Sequence, residues 1–558
     1  MSANATTGRR LVGQILKANG VLSEAQVQQA LGEQRKHGGL IGQHFTAMKL
    51  CTPDQLAAAL AEQAGLESVP ADALVSTPEA LELVDGSTAH TFRVLPLRVE
   101  GGELIVALAD PLNTAVLDDL GFATGRTLRA VVAESKAIEA AIRREYGEEQ
   151  SLSDAVAAAA KSLDGSGDPG ASAPVVRLLN SILHRAIRDR ASDIHFETYE
   201  DDFRIRYRVD GALYEVESPP RHLASALISR IKVLSDLDIA ETKLPQDGRI
   251  ALAIDGRAVD LRVATLPGIS GEGAVLRVLD RSAVSLDLKA LGYEPRDEKL
   301  LRQMTRLPNG IVLVTGPTGS GKTTTLYAML NEANDPTVKI ITVEDPVEYD
   351  IEGVVQVPIH SDIGVDYAAV LRTVLRQDPD KILVGEIRDR ETAATAIEAS
   401  LTGHTVFATV HTNDAPSAIT RLLDMGIEAF LLAATLETVV AQRLVRRVCP
   451  HCKQGFVPDE ELLLELGPDA KLLAGREVFF GKGCKECFHT GYLGRTAINE
   501  IMILDDDLRG LVLANASTAV VRDMARKHGM RTLREAGLGA VARGDTTIEE
   551  ILRETAPV

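Results

Sequence analysis

The sequence predicts a multidomain α/β protein, and three observations predict it. The chain has 558 residues, more than one hydrophobic core organises. Four apolar strand candidates, at 311–315, 339–343, 381–385 and 405–410, recur with helical stretches between several of them, the pattern of a mostly parallel sheet with crossover helices. Residues 311–325 read IVLVTGPTGSGKTTT, a buried strand, a glycine-rich turn and a helix start in succession.

That last stretch is G-x-x-x-x-G-K-[ST] in a strand–loop–helix context. Gly316, Pro317, Thr318, Gly319, Ser320 and Gly321 form a loop whose backbone N–H groups can turn toward one anion. The helix opened by Lys322, Thr323 and Thr324 adds the positive end of its dipole. Lys322 has the reach for β- and γ-phosphates, and the Thr323 hydroxyl is a Mg²⁺ ligand. In such sheets ligands bind beyond the carboxyl ends of the strands. Glu344 and Asp345 follow the second strand, Glu386 the third and His411 the fourth, so these groups are expected in the same crevice. Glu386 can hold Mg²⁺ through water, and Glu344 is the candidate to orient or deprotonate an attacking water. His404 and His411 are candidate contacts for phosphate or the neighbouring acids.

In chain order, residues 1–146 read as an N-terminal domain. Residues 11–34 repeat at 40–63 with an offset of 29, matching Gly13 to Gly42, Ser23 to Thr52, Leu31 to Leu60 and Gln34 to Gln63. Ser23 and Thr52 stand where helix caps belong, so two short helical units are expected. Strands at 92–99 and 103–110 and helices at 112–121 and 134–145 follow. Residues 147–173 carry a Gly/Ser/Asp/Pro cluster and read as a linker. Residues 174–290 read as an α+β domain. Its FRIRYRV segment (203–209) puts Phe203, Ile205, Tyr207 and Val209 on one face and Arg204, Arg206 and Arg208 on the other. Asp210-Gly211 and Asp255-Gly256 mark hairpins. A solvated sheet face is the plain reading of those arginines. The third domain runs over 291–558.

Cys449, Cys452, Cys484 and Cys487 form two CxxC pairs 31 residues apart, the ligand set of a structural Cys₄ Zn²⁺ site, in a subdomain spanning 446–492. Cys51 stands alone and reads as a small core residue. Net charge is −19 and tryptophan is absent, which argues against nucleic acid as a partner. No apolar run approaches the ~20 residues of a membrane span, and the first residues lack the apolar core of a signal peptide. A cytoplasmic protein is expected, with membrane association only through partners.

ITVEDPVEYD (341–350), LRQDPDKILVGEIRD (375–389) and LTGHTVFATVHTNDA (401–415), with the phosphate loop, resemble the Asp box, Walker B segment and His box of the secretion ATPase superfamily. ASDIHFE (191–197), RYRVDG (206–211), LDIAETKLPQDGRI (237–250) and QRLVRRVCPHC (442–452) agree. The resemblance is to type II secretion assembly ATPases and the related type IV pilus extension ATPases. It implies a RecA-like P-loop domain, a PAS-like second domain, a mainly helical N-terminal domain, and ATP with Mg²⁺ as cofactors. By position, Glu344 would be the catalytic Asp-box glutamate and Glu386 the Walker B glutamate. Arg262 and Arg277 would reach nucleotide from the second domain, and Arg372, Arg376 and Arg388 would lie near the site or a subunit interface. The implied assembly is a homohexamer that drives an inner-membrane platform protein and adds pseudopilin or pilin subunits to a fibre.

The N-terminal repeat resembles a domain that binds cyclic di-GMP in some relatives. Here Arg10-Leu11-Val12-Gly13 carries an inserted residue and Leu40-Ile41-Gly42 has no preceding arginine, so the motif is degenerate. Docking to an inner-membrane protein is the other role implied for this domain. A nucleotide-gated signalling module without steady turnover and a DNA translocase are the functions of other classes, the second disfavoured by the charge.

Overall fold

The computed structural model describes residues 10–37, 40–84, 86, 88–89, 93–109, 111, 117, 120–121, 124–146, 152–162, 173–254, 257–280, 286–289, 291–360 and 363–555. The chain forms two units, Met1–Ala283 and Val284–Val558. The expected helix at 112–121 and the Asp255-Gly256 turn lie largely or wholly outside the described residues.

The first unit opens with helices Val12–Ala18, Glu24–His37, Ile41–Ala47 and Pro53–Ala64, so the 29-residue repeat is a repeat of helix pairs. Each pair packs through its glycine. A Cβ on Gly13 would lie 3.3 Å from Val27, and one on Gly42 would lie 3.0 Å from Leu56; Val27 and Leu56 are themselves repeat partners. Thr52 accepts from the Gln55 amide and Gln55 answers at the Thr52 N–H, the reciprocal cap that closes an N-terminus. A sheet ordered Glu67–Ser68, Leu128–Val132, Glu103–Leu108, Val94–Glu100 follows, packed by the helix Ser135–Tyr146.

Residues 152–162, inside the stretch read as linker, are helical. Leu152, Ala155, Val156 and Ala159 are buried against the helix Ala173–Arg188 and its core. Alanine-rich sequence is a strong helix former with a weak apolar signature, which is why composition masked it. The sheet that follows has six antiparallel strands, ordered Ala212–Glu217, Phe203–Val209, Asp193–Thr198, Gly271–Asp280, Arg257–Gly268, Gln246–Ile254. Phe203, Ile205 and Tyr207 face the core. Asp210 and Gly211 both take positive φ, 50° and 87°, as a two-residue hairpin loop demands.

The second unit is built on a seven-stranded sheet ordered Val354–Pro358, Ile340–Glu344, Lys381–Val384, Thr405–Val410, Gly310–Thr315, Leu436–Val448, Tyr492–Ile503. Its first six strands are parallel and the last is antiparallel. Alternate residues of Gly310–Thr315 enter separate cores, Ile311 and Leu313 one and Val312 and Val314 the other, so both faces are covered, as a parallel sheet requires. No described helix is long and apolar enough to cross a membrane.

Candidate functional site

The strand Gly310–Thr315 is buried throughout and ends beneath the phosphate loop. Gly316 has φ 149°, and a Cβ there would lie 2.5 Å from the Gln442 carbonyl oxygen. Gly321 has φ 85° and caps the helix Lys322–Ala333. Neither position accepts a side chain. The Lys322 Nζ donates to the carbonyls of Gly316 at 2.9 Å and Pro317 at 3.0 Å. Burial draws the Lys322 pKa down, Glu386 opposes that shift, and Arg443 adds to it. The Thr323 side of the helix start is exposed, with its hydroxyl free for a metal and the amides of the first turn free for phosphate.

Glu344 ends the strand Ile340–Glu344 and is 3% exposed. Its carboxylate accepts hydrogen bonds from the Tyr327 hydroxyl, from Thr342 Oγ1 at 2.5 Å and from Gln356 Nε2 at 3.2 Å. Thr342 shares its face because strand side chains alternate. Tyr327 comes from the helix behind the phosphate loop and Gln356 from the edge strand. Burial, then the Glu344 charge, pushes the Tyr327 phenol above its ordinary range.

Glu386 follows the strand Lys381–Val384 and its Gly385. Its side chain is 19% exposed and lies 2.8 Å from Arg388 Nη2 and 3.2 Å from His411 Nε2. Arg388 also approaches Asp345 at 3.7 Å. The hydrogen bond to Glu386 raises the Arg388 pKa. Gly385 closes the junction of the two acid-bearing strands: a Cβ there would lie 3.1 Å from Tyr367 Oη, 3.1 Å from the Val343 carbonyl and 3.3 Å from Glu344 Cα. Burial raises the Tyr367 phenol pKa, and Asp345 raises it further. The phosphate loop and two acids at neighbouring strand ends thus form one polar crevice, able to hold a phosphate chain and a hydrated divalent cation.

Other expected residues fall elsewhere. His404 precedes the strand Thr405–Val410, and His411 follows it. The His404 Nδ1 is 2.8 Å from the Ala399 carbonyl and 3.1 Å from Thr402 Oγ1. Roughly 20 Å of strand separates the two histidines, so His404 does not join the crevice. Arg372 is exposed and paired with Glu391. Arg376 is exposed and donates to the Arg372 carbonyl at 2.9 Å.

In the first unit, Arg262 and Arg277 are direct cross-strand partners, and Arg249 faces Arg262 on the next strand. Arg277 is 3.0 Å from Asp193 and 58% exposed. Arg204 pairs with Asp202, and Arg206 with Glu197, each at 2.6 Å. Like charges set directly opposite cost stability, and the Asp193 carboxylate offsets part of that cost at Arg277.

The four predicted cysteine sulfurs lie within 4.8 Å of one another. Cys449–Cys484, Cys452–Cys487 and Cys484–Cys487 sulfurs are 3.9, 3.8 and 3.6 Å apart, close to the ~3.8 Å that tetrahedral Zn–S bonds of about 2.3 Å impose. Amides of Gly483 and Gly491 point at Cys452 and Cys487 sulfurs, each at 3.3 Å, as they do around metal-bound thiolates. The donor set fits a metal. Cys51 is buried in the helical repeat.

A separate cavity of about 1160 Å³ lies in the first unit. Gln14, Leu31 and Gln34 line it from the first repeat, and their repeat partners Gln43, Leu60 and Gln63 from the second.

Sequence reasoning missed Tyr327, Gln356, Tyr367 and Gln442. Each reaches the crevice through tertiary packing, and only Gln442, inside QRLVRRVCPHC, lay in a noted segment.

The family described as Type II/IV secretion system protein matches residues 169–553, and an MshEN domain matches residues 64–152. The type IV pilus assembly ATPase PilB of Myxococcus xanthus is 42% identical over 98% of this chain and 99% of its own length. The type II secretion system protein E of Xanthomonas campestris pv. campestris is 44% identical over 89% of each chain. That of Pseudomonas aeruginosa is 52% identical over 69% of this chain and 76% of its own. In fold, the X-ray structure of the Yersinia pseudotuberculosis ATPase DotB covers 68% of this chain and 93% of its own, at TM-score 0.51 and 22% identity. The chain belongs to the Type II/IV secretion system protein family.

Proposed function

We propose that the chain is a Mg²⁺-dependent ATPase that powers pseudopilus assembly and protein export by a type II secretion system. One observation carries the hydrolytic part: Lys322 and the loop amides stand at the carboxyl end of a parallel sheet, beside a buried glutamate and a second, partly exposed one. Lys322 and the 316–324 backbone bind the phosphates. Thr323 and Glu386 would hold Mg²⁺, which would supply charge neutralisation to the phosphates. Glu344 takes the proton of the attacking water or orients it, once Tyr327, Thr342 and Gln356 yield the carboxylate. His411 and Arg388 fix the Glu386 carboxylate. Arg372 and Arg376 act toward a neighbouring subunit of a homohexamer. The Cys₄ set holds one structural Zn²⁺.

The chain is expected in the cytoplasm, at the inner membrane through a platform protein and a docking protein. Extension of a type IV pilus is the second reading, supported by near full-length similarity to the Myxococcus xanthus PilB. The matched linings of the first-unit cavity suit a ligand made of two equal halves, and cyclic di-GMP is the ligand to titrate against the full chain.

Steady-state ATP turnover tests the enzyme: Lys322→Ala and Glu386→Gln should abolish it with folding retained. Wild-type hexamer that binds ATP without turnover would favour a signalling switch. Loss of pili with exoprotein release intact, in cells lacking the chain, would select the pilus reading.

A further inference from the structure

The strand Leu436–Val448 runs parallel beside Gly310–Thr315, with Ala441 opposite Thr315. Gln442 therefore stands level with Gly316, the first residue of the phosphate loop. It is 1% exposed. Its Nε2 donates to the Ser320 carbonyl at 2.7 Å, and its Oε1 accepts from Thr325 Oγ1 at 2.8 Å and from the Tyr293 hydroxyl at 3.3 Å. Its main-chain oxygen fills the space a Gly316 side chain would need. One residue thus touches the loop at its entry, at its exit and on the helix beyond.

We propose that Gln442 is a positioning residue for nucleotide phosphates, acting through the peptide between Ser320 and Gly321. In a planar trans peptide the C=O and N–H point in opposite directions. Holding the Ser320 oxygen inward on the Gln442 amide turns the Gly321 N–H outward, where a loop amide meets an anion. The chemistry asks for glutamine. A glutamate would set oxygen against the Ser320 oxygen, and a hydrocarbon would leave that carbonyl without its donor. The Ser320 carbonyl can only accept, so it fixes Nε2 toward the loop, while the Tyr293 and Thr325 hydroxyls lie within hydrogen-bond reach of Oε1 and of each other and share two protons among those contacts. The inference rests on the nucleotide-binding reading of the loop.

The test uses the full chain with Mg²⁺ and a non-hydrolysable ATP analogue, comparing wild type, Gln442→Met and Gln442→Glu. Gln442→Met keeps the side chain's length and volume. It should weaken analogue binding about tenfold, the weight of one buried hydrogen bond that the loop needs, and Gln442→Glu should weaken it further. Without nucleotide, hydrogen exchange should quicken across 316–321 in Gln442→Met, with the strand Thr405–Val410 as protected as in wild type. Unchanged affinity and unchanged loop exchange overturn the proposal. So does protection lost equally in loop and strand, the mark of a general packing role. If Gln442→Met fails to fold, Thr325→Val replaces it: a several-fold loss of affinity supports the proposal and wild-type affinity overturns it. Wild-type chain that binds no analogue would instead sink the nucleotide-binding reading itself.

Discussion

Gly385→Ala tests the junction on which the two acids depend. The new methyl would sit 3.1 Å from Tyr367 Oη, 3.1 Å from the Val343 carbonyl oxygen and 3.3 Å from Glu344 Cα. Two of these are backbone atoms of the neighbouring strand, so no rotamer change relieves them. The strand ends must part by about 0.3–0.5 Å to reach ordinary contact, stretching the Gly385 N–H bond to Val343, now 2.8 Å. Overpacking of this kind costs about 1–3 kcal/mol, or a fall of roughly 2–10 °C in unfolding midpoint for a unit of this size. The same displacement separates Glu344 from Glu386, and sub-ångström misplacement of catalytic groups costs roughly tenfold in rate. ATP turnover by the folded fraction should therefore drop about tenfold, with analogue binding near wild type. Adding Tyr367→Phe removes one of the three clashes and should recover part of the loss. Turnover equal to wild type, or loss no greater than the unfolded fraction, would refute the reasoning.

Metal analysis of the chain purified without chelator should find about one Zn²⁺ per chain, as a Cys₄ site holds; Cys452→Ser should lower occupancy and the unfolding midpoint. Glu500 is 2% exposed and accepts from the Ala415 and Leu533 amides at the starts of two helices. Burial raises its pKa above 4.5, and Asp414 adds to the rise. A carboxyl whose folded pKa exceeds its unfolded one stabilises fully below the unfolded value and loses that contribution as pH rises through the folded one. Stability of wild type relative to Glu500→Gln should thus decline from pH 4.5 upward, and a flat difference across pH 4–7 would contradict the assignment. Gly13→Ala and Gly42→Ala gain the same helix propensity. The tighter approach of Leu56 to Gly42 should leave Gly42→Ala about 1 kcal/mol the less stable of the two, read as amide protection of residues 41–64.

Legibility followed the range of the physics. The phosphate loop and the cysteine pairs are local, since their spacing alone brings the ligating groups together. The repeat was visible because Gly13/Gly42 and Ser23/Thr52 keep both packing and capping in register. The strand Leu436–Val448 went unread because Gln442, Arg443 and Arg446 interrupt its apolar run. Their burial is compensated by partners far along the chain: Tyr293 for Gln442, Asn413 for Arg443 and Glu550 for Arg446. His404 shows the converse error. It is near His411 in sequence, but the strand Thr405–Val410 lies between them, so His404 sits at the amino end of the parallel strands and His411 at the carboxyl end.

That long strand has 13 residues, where its parallel neighbours have four to six. Its residues from Gln442 to Val448 leave the parallel sheet and run on with Tyr492–Ile503 as a two-stranded ribbon ending at Cys449, about 23 Å of overhang. Rooted against the phosphate loop, it is held along its length by the C-terminal segment: Val445 is buried, Arg446 pairs with Glu550, and the Val448 N–H donates to the Asp545 carbonyl. A shift at its root would therefore be shared with the helices Leu533–Arg543 and Ile548–Glu554 rather than confined to the ribbon.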